Sequence, residues 1–126
     1  MALRLLLDTH ILLWWLADVS PVVERLIEYM NKAEVVVVSA ASGWEMEIKR
    51  ALGKLEAPGD IDKALEFNGF RPLSISVAHA MLAGQLPAVH GDPFDRMLVA
   101  QATLEGLTLV TRDKKLVDYG VPILVI

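Results

Sequence analysis

The sequence predicts an α/β fold: a three-layer α/β/α sandwich around a central, mostly parallel sheet of four to five strands. Short runs of valine, leucine and isoleucine alternate along the chain with segments of helical periodicity, a pattern typical of strands joined by crossover helices. The run 34–39, EVVVVS, is apolar on both faces, as expected of a central parallel strand that is covered on both sides.

The predicted strands follow one another at intervals long enough for a helix between them. They cover residues 3–7, 34–39, 107–111 and 122–126, and residues 71–76 are a candidate for a further short strand. Right-handed crossovers connect parallel strands, and ligands of such sheets bind beyond the carboxyl ends of the strands. We therefore expect the functional residues at that edge.

Helical segments fill the intervals. Ser20 before Pro21 predicts a helix start, with serine as the N-cap and proline in the first turn. Asp92 before Pro93 predicts another start of the same kind. The predicted helices cover residues 20–33, 44–52, 60–68, 77–86, 92–105 and 112–119, and glycine follows four of them, at positions 53, 69, 106 and 120.

Composition narrows the class of protein. A length of 126 residues suits one domain, residues 1–126. The absence of cysteine excludes disulfides and thiolate metal sites, and the net charge of −4 gives no overall basic field. No apolar run reaches transmembrane length, and Asp8 and His10 interrupt the run that could imitate a signal peptide. We expect a soluble cytoplasmic protein without a membrane partner.

Acidic residues lie where the predicted strands end. Asp8, Glu45 and Asp113 each follow a strand, and Asp92 and Asp95 begin the helix that leads into the fourth strand. Each also has a purely structural explanation, as an N-cap, a capping-box partner or a favourable charge in the first helical turn. For Glu45 the capping box would be formed with a serine three residues earlier.

The direction of two acidic side chains separates them from ordinary caps. Glu45 shares a helix face with Ile48 and Leu52, a face predicted to point inward. Asp95 shares its face with the apolar residues three, four and seven positions later. Clustered carboxylates repel one another, and a divalent cation with oxygen ligands relieves that repulsion. Without cysteine, this favours one or two Mg²⁺ or Mn²⁺ ions over zinc.

Four segments, in order, resemble a known family. LLLDTHILLW, SAASGWEMEIKRALGKL, DPFDRMLVAQA and LTLVTRD closely resemble a PIN domain and, more narrowly, the VapC-type toxin ribonucleases of type II toxin–antitoxin systems. The resemblance covers residues 3–126. It implies a PIN-like, Rossmann-like fold, Mg²⁺- or Mn²⁺-dependent endonucleolytic cleavage of single-stranded or structured RNA, homodimerisation, and a cognate antitoxin protein.

The resemblance also assigns roles to residues. The catalytic and metal-binding positions correspond to Asp8, Glu45, Asp95 and Asp113. Asp92 matches an auxiliary acid, and Thr111 matches a polar position that helps to order the acidic cluster. Thr9 is expected to steady Asp8 through its hydroxyl or to touch a bound phosphate. Gly91 departs from the subgroup, which often has a basic residue before DPFD.

Basic and aromatic residues near the acidic segments suggest contacts with a substrate or partner. Arg96, Arg112 and Lys49 are candidates to bind phosphates that flank the cut, although a solvated helix face explains them equally well. Trp14 and Trp15 are adjacent and cannot share one helix face. One is expected in the core and the other in a dimer or antitoxin groove.

Two other classes of protein remain open on the sequence. A haloacid-dehalogenase-type phosphohydrolase also begins with a strand that ends in Asp, but it requires a second Asp two residues later, where this chain has His10. A non-catalytic RNA- or protein-binding module, including a receiver-like domain, would use the acids only as caps. Replacing Asp8 with Asn separates the nuclease from such a module, because only the nuclease would lose activity.

Overall fold

A computed structural model describes residues 2–55, 59–87 and 91–126. They contain a five-stranded sheet with the strand order β3-β2-β1-β4-β5, and every pairing in it is parallel. The strands are β1 (Leu3–Leu7), β2 (Ala33–Ser39), β3 (Arg71–Leu73), β4 (Thr108–Thr111) and β5 (Ile123–Val125). The predicted α/β fold with a parallel sheet is confirmed.

Helices connect all of these strands within the described residues. They are α1 (Thr9–Leu16), α2 (Ser20–Lys32), α3 (Ala40–Ala51), α4 (Ile61–Asn68), α5 (Val77–Gln85) and α6 (Pro93–Glu105), followed by a 3₁₀ helix at Lys114–Tyr119. None of the helices in the described ranges is both long enough and apolar enough to cross a membrane.

The sheet is buried on both faces, which explains its uninterrupted apolar strands. In β1, Leu5 and Leu7 pack into a core with residues of α1 and α2, whereas Leu6 packs into a second core with α6. Alternate side chains of a strand point to opposite faces, so a strand with a helix layer on each side is apolar throughout. The three-layer arrangement follows from this pattern.

Helix α1 is the element that the sequence analysis did not predict. Its sequence, THILLWWL, is so apolar that the contrast between a polar and an apolar face, which marks a surface helix, is missing. The helix begins where the backbone N–H of Ile11 donates to Asp8 Oδ1 at 2.8 Å. The same carboxylate that ends the first strand therefore starts the first helix.

Two predicted helix starts are wrong. Ser20 is the first residue of α2 and not its N-cap; that position is held by Val19, which makes no side-chain capping bond. Helix α3 begins four residues earlier than predicted because the backbone N–H of Ala41 donates to Ser39 Oγ at 3.0 Å. Ser42 consequently lies inside the helix, so the capping box that it was predicted to form with Glu45 does not exist.

Candidate active site

Asp8 lies at the carboxyl edge of the sheet, where β1 meets its neighbour β4. Its backbone N–H donates to the carbonyl oxygen of Val110 at 3.0 Å, which continues the strand pairing up to the carboxylate. Oδ1 accepts the N–H of Ile11, and Oδ2 accepts the hydroxyl of Thr111 at 2.5 Å. The residue is only 5 % exposed. Both carboxylate oxygens are thus held by fixed parts of the fold.

Burial dominates the electrostatics of this carboxylate. Removal from water raises the pKa of Asp8 above its ordinary value, and the nearby Glu45 carboxylate raises it further. The hydrogen bonds from Thr111 and Ile11 and the proximity of His10 act in the opposite direction without overcoming the burial. The ionised form of Asp8 is therefore costly in this structure and would be favoured by a bound cation.

Thr111 joins two of the predicted site residues. Its hydroxyl donates to Asp8 Oδ2, and its oxygen accepts the backbone N–H of Asp113 at 3.0 Å. The side chain is fully buried. Because one hydroxyl contacts both the carboxylate after β1 and the backbone after β4, it fixes the distance between the two strand ends.

Three of the four predicted catalytic acids line one open pocket of about 300 Å³. The pocket is lined by Asp8, His10, Trp14, Asp95, Arg112 and Asp113. Asp95 comes from the first turn of α6 and is half-buried. Asp113 also caps the 3₁₀ helix, since its Oδ1 accepts the N–H of Lys115 at 2.9 Å. The pocket therefore gathers carboxylates from three separate segments of the chain.

Glu45 is buried next to this pocket but is not among the residues that line it. The predicted inward direction is confirmed, with the residue 7 % exposed. The reasoning behind it is wrong, because Ile48 and Leu52 are exposed and the buried face of α3 carries Ala41, Ser42 and Met46 instead. Glu45 Oε2 lies 3.2 Å from Lys49 Nζ. Lys49 thus pairs with a predicted metal ligand.

Two residues predicted to assist the acids are engaged elsewhere. The Thr9 hydroxyl is buried and donates to Ser42 Oγ at 3.0 Å, so its proton ties α1 to α3 and is not donated to Asp8. Asp92 Oδ1 accepts the N–H groups of Phe94 and Asp95 at 2.8 and 3.2 Å. Its observed role is to cap α6, as the Asp-Pro pair predicted.

Arg96 does not lie free to bind a phosphate. Its guanidinium donates to three backbone carbonyls at the end of α5 and just beyond it, those of Ala83, Leu86 and Pro87, at 2.8–3.0 Å. Carbonyls at a helix end have no partner within the helix, and this arginine supplies one. These bonds give Arg96 a structural role, and its candidate role in substrate binding stays a prediction.

Two residues that line the pocket, His10 and Trp14, were not among the predicted site residues. They are one turn apart on α1, with ring centroids 6.0 Å apart, and a prediction of α1 would have placed both beside Asp8. Trp15 points away and packs against Phe70 with ring centroids 6.2 Å apart. Both tryptophans are half-buried and pack against the same core, and Trp14 also borders the acidic pocket. A dimer or antitoxin groove for either of them stays a prediction.

The donor set suits a hard divalent cation, although the described residues form no group of three or more carboxylate, imidazole or thiolate side chains close enough to hold an ion by themselves. Mg²⁺ prefers oxygen ligands, keeps several waters, and is commonly held by one or two carboxylates together with substrate phosphates. Three carboxylates around an open pocket satisfy that requirement without a closed protein cage.

Comparisons with known proteins agree with this fold. Residues 5–122 match the PIN domain family. The chain is 27 % identical over 124 residues to Ribonuclease VapC22 of Mycobacterium tuberculosis, covering 93 % of this chain and 92 % of that protein. Its fold is similar to FitAcB from Neisseria gonorrhoeae, with a TM-score of 0.68, 22 % identity and coverage of 95 % and 96 %. It is also similar to DNA-bound VapBC2 from Rickettsia felis, with a TM-score of 0.73, 14 % identity and coverage of 98 % and 99 %.

Proposed function

The chain belongs to the PIN domain family, and on that premise we propose that it is a divalent-metal-dependent endoribonuclease, the toxin of a toxin–antitoxin pair. The observation that carries the proposal is the pocket in which Asp8, Asp95 and Asp113 converge. A relative named as a ribonuclease and structural neighbours described as toxin–antitoxin complexes support it. The substrate is single-stranded or structured RNA, and residues 1–126 act as one domain.

The carboxylates of the pocket hold one or two Mg²⁺ or Mn²⁺ ions in this proposal. Asp8 and Asp95 are the principal ligands, Asp113 contributes mainly by arranging the site, and Glu45 completes the acidic cluster from α3. A bound ion lowers the pKa of its water and stabilises the negative charge that develops at phosphorus. The raised pKa of Asp8 supports this assignment, because a cation offsets the cost of burying the charge.

Other roles in the proposed reaction fall to side chains of the protein itself. Thr111 holds Asp8 in one orientation, so the carboxylate needs no reorganisation when RNA binds. Asp95, which lines the pocket, orients the attacking water towards phosphorus. Glu45 is less suited to that role, since it does not line the pocket.

The decisive experiment is cleavage of a mixed RNA pool by the purified protein with Mn²⁺, with Mg²⁺ and with EDTA. We expect cleavage with either metal, none with EDTA, and none by the Asp8→Asn protein. Asp118→Asn is the matched control, because it makes the same chemical change at an exposed position of the 3₁₀ helix that does not line the pocket.

The controls decide between the proposed ribonuclease and a non-catalytic module. Cleavage that persists in EDTA or in Asp8→Asn contradicts the metallonuclease. If no RNA is cut, calorimetry with Mn²⁺ distinguishes the remaining cases: acids that serve only as helix caps should bind no Mn²⁺ in the pocket, and that result would favour a binding module.

The partners of the proposed toxin are a cognate antitoxin and a second copy of the chain, and its compartment is the cytoplasm. The toxin–antitoxin complex from Klebsiella pneumoniae among the structural neighbours supports the antitoxin. Co-purification with the small protein encoded beside this one tests the partnership. A neighbour that neither binds the chain nor inhibits RNA cleavage would contradict it.

A further inference from the structure

Arg112 lies over an aromatic ring at the edge of the acidic pocket. Its Cζ is 5.3 Å from the centroid of the Trp14 ring, within the range of a cation–π contact. Both side chains line the pocket together with Asp8, Asp95 and Asp113. The Arg112 guanidinium therefore lies in a pocket with three carboxylates, and its contact there is with the uncharged Trp14 ring.

The Trp14 ring has a fixed position relative to Asp8. Both belong to the same short structural unit, because Asp8 caps α1 and Trp14 lies in that helix. The ring is half-buried and packs against the core between the sheet and α1. The His10 ring, one turn earlier, lies against it. Trp14 thus provides a rigid surface at a set distance from the carboxylate.

The backbone of Arg112 is fixed to the same point. The residue before it donates its hydroxyl to Asp8, and the residue after it donates its backbone N–H to that same hydroxyl oxygen. The side chain of Arg112 is exposed. The backbone of Arg112 is thus held by the site, while its guanidinium contacts the Trp14 ring and is accessible to solvent.

The three basic residues proposed for phosphate binding differ in what surrounds their charge. Arg96 donates to three backbone carbonyls, and Lys49 pairs with Glu45. Arg112 lies against a ring, which attracts the cation without using its hydrogen-bond donors. Its planar fork of N–H groups matches the geometry of a phosphate.

We propose that Trp14 is a positioning residue that holds the Arg112 guanidinium as a phosphate-binding group, and that this group binds the RNA phosphodiester next to the one that is cut. The inference rests on the proposed ribonuclease function and deepens it. Arg112 thus binds the RNA backbone whatever the RNA sequence, since phosphate contacts position a nucleic acid without reading its bases.

The test measures equilibrium binding of a short single-stranded RNA by fluorescence anisotropy. The buffer contains Ca²⁺ because this ion, like Mg²⁺, binds to oxygen ligands. We expect Arg112→Gln to weaken binding about tenfold, the effect of one charge-assisted hydrogen-bonded contact. It should also flatten the slope of log K against log salt by about 0.7, the change expected for one lost phosphate contact with a single strand.

A double-mutant cycle isolates the role of Trp14. Trp14→Leu alone should weaken binding about two- to fivefold, as expected for loss of a cation–π contact. Added to Arg112→Gln, it should cause no further loss, because Trp14 acts through the arginine. Trp14→Phe keeps a ring and should restore most of the affinity, and thermal unfolding checks that each variant is folded.

Three results would overturn the inference. Wild-type protein that binds no RNA excludes it. If Trp14→Leu weakened RNA binding equally in the wild-type and the Arg112→Gln protein, the ring would contact RNA directly or only stabilise the fold. A Trp14→Leu protein with unchanged affinity would mean that the ring does not position the arginine. RNA binding without metal-dependent cleavage would contradict the ribonuclease and leave the phosphate site standing.

Discussion

Two regions of the molecule bury polar side chains, and they differ in what those side chains face. At the carboxyl edge of the sheet, Asp8 and Thr111 are buried beside an open pocket. Between α5 and α6, His79 and Gln101 are buried as completely. There His79 Nδ1 accepts the backbone N–H of Ser76 at 3.0 Å and forms a capping box at the start of α5.

We call the second region the α5–α6 polar cluster (Ser76, His79, Gln101 and Glu105). Its side chains form their hydrogen bonds with other groups of the protein. His79 Nε2 lies 3.3 Å from Glu105 Oε2, and Gln101 Nε2 is 3.4 Å from the carbonyl of Ser74. Among the described residues, Gln101 Oε1 is the buried side-chain atom without a hydrogen-bond partner. Burial of polar groups therefore does not by itself indicate a site; a buried charge that borders a pocket does.

Asp8→Asn should have the largest effect on activity. We expect RNA cleavage to fall about 10³-fold or more, because a metal ligand contributes several kcal/mol to the transition state. Initial rates with Mn²⁺ measure the effect, with Asp118→Asn as the control. Residual activity within about tenfold of wild type would contradict the assignment of Asp8.

The same substitution should stabilise the fold at neutral pH. The pKa of Asp8 is raised in the folded state, so its ionised form costs stability at every pH above that folded pKa. As pH falls towards the ordinary value of 3.8 the carboxyl becomes protonated and the cost disappears. The gain in Tm from Asp8→Asn should thus be greatest near pH 7 and shrink towards pH 4; a gain independent of pH would contradict it.

Thr111→Val should affect both activity and stability. The valine keeps the shape of threonine but removes the hydroxyl that joins Asp8 to the backbone of Asp113. Leaving these buried groups without a partner should cost about 1–3 kcal/mol of unfolding free energy and reduce cleavage about tenfold. Thr111→Ser retains the hydroxyl and should recover most of both, and denaturant unfolding with initial rates tests the pair.

His79→Leu should separate the two regions. We expect a loss of about 1–3 kcal/mol in unfolding free energy, because the N–H of Ser76 loses its acceptor, with the cleavage rate unchanged at a temperature where the variant is folded. His79→Gln should recover stability, since glutamine at this helix position also closes a capping box. A specific loss of cleavage in a folded His79→Leu protein would mean that the α5–α6 polar cluster contributes to the site.

Lys49→Met should have the smallest effect. The ion pair with Glu45 is a partly exposed i, i+4 pair, so its loss should change the unfolding free energy by less than about 0.5 kcal/mol. Removing the competing cation should tighten Mn²⁺ binding about two- to fivefold. Calorimetry measures the Mn²⁺ affinity. Weaker Mn²⁺ binding by the Lys49→Met protein would mean that Glu45 requires the ion pair with Lys49 to contribute to the site.

The fold and the positions of the pocket acids could be predicted because they depend on local signals. The Asp-Pro start of α6 and the strand ends before Asp8 and Asp113 follow from the sequence, and parallel pairing then brings those ends to one edge of the sheet. The contacts of Arg96 could not be predicted, because its side chain reaches carbonyls on and beyond another helix and no local pattern specifies them. The pair of Lys49 with Glu45 has the i, i+4 spacing of a local helix pair and was open to prediction.

Helix starts were missed where two candidates competed. Ser39 and Ser42 are three residues apart, and either could cap a helix; the end of β2 selects Ser39. Ser42 then contacts Thr9 across two helices, a pairing that depends on how α1 and α3 pack. Helix α1 was missed because it has no polar face, and with it the positions of His10 and Trp14.

The bond between Thr111 and Asp8 joins residues 103 positions apart, and this has a consequence for synthesis. A ribosome adds Thr111 103 residues after Asp8, so the growing chain carries Asp8 without the groups that hold it until that segment is made. Strand β4 must pair with β1 before the pocket exists. For a chain proposed to cut RNA, the order of its segments delays activity until β4 has been made and has paired with β1.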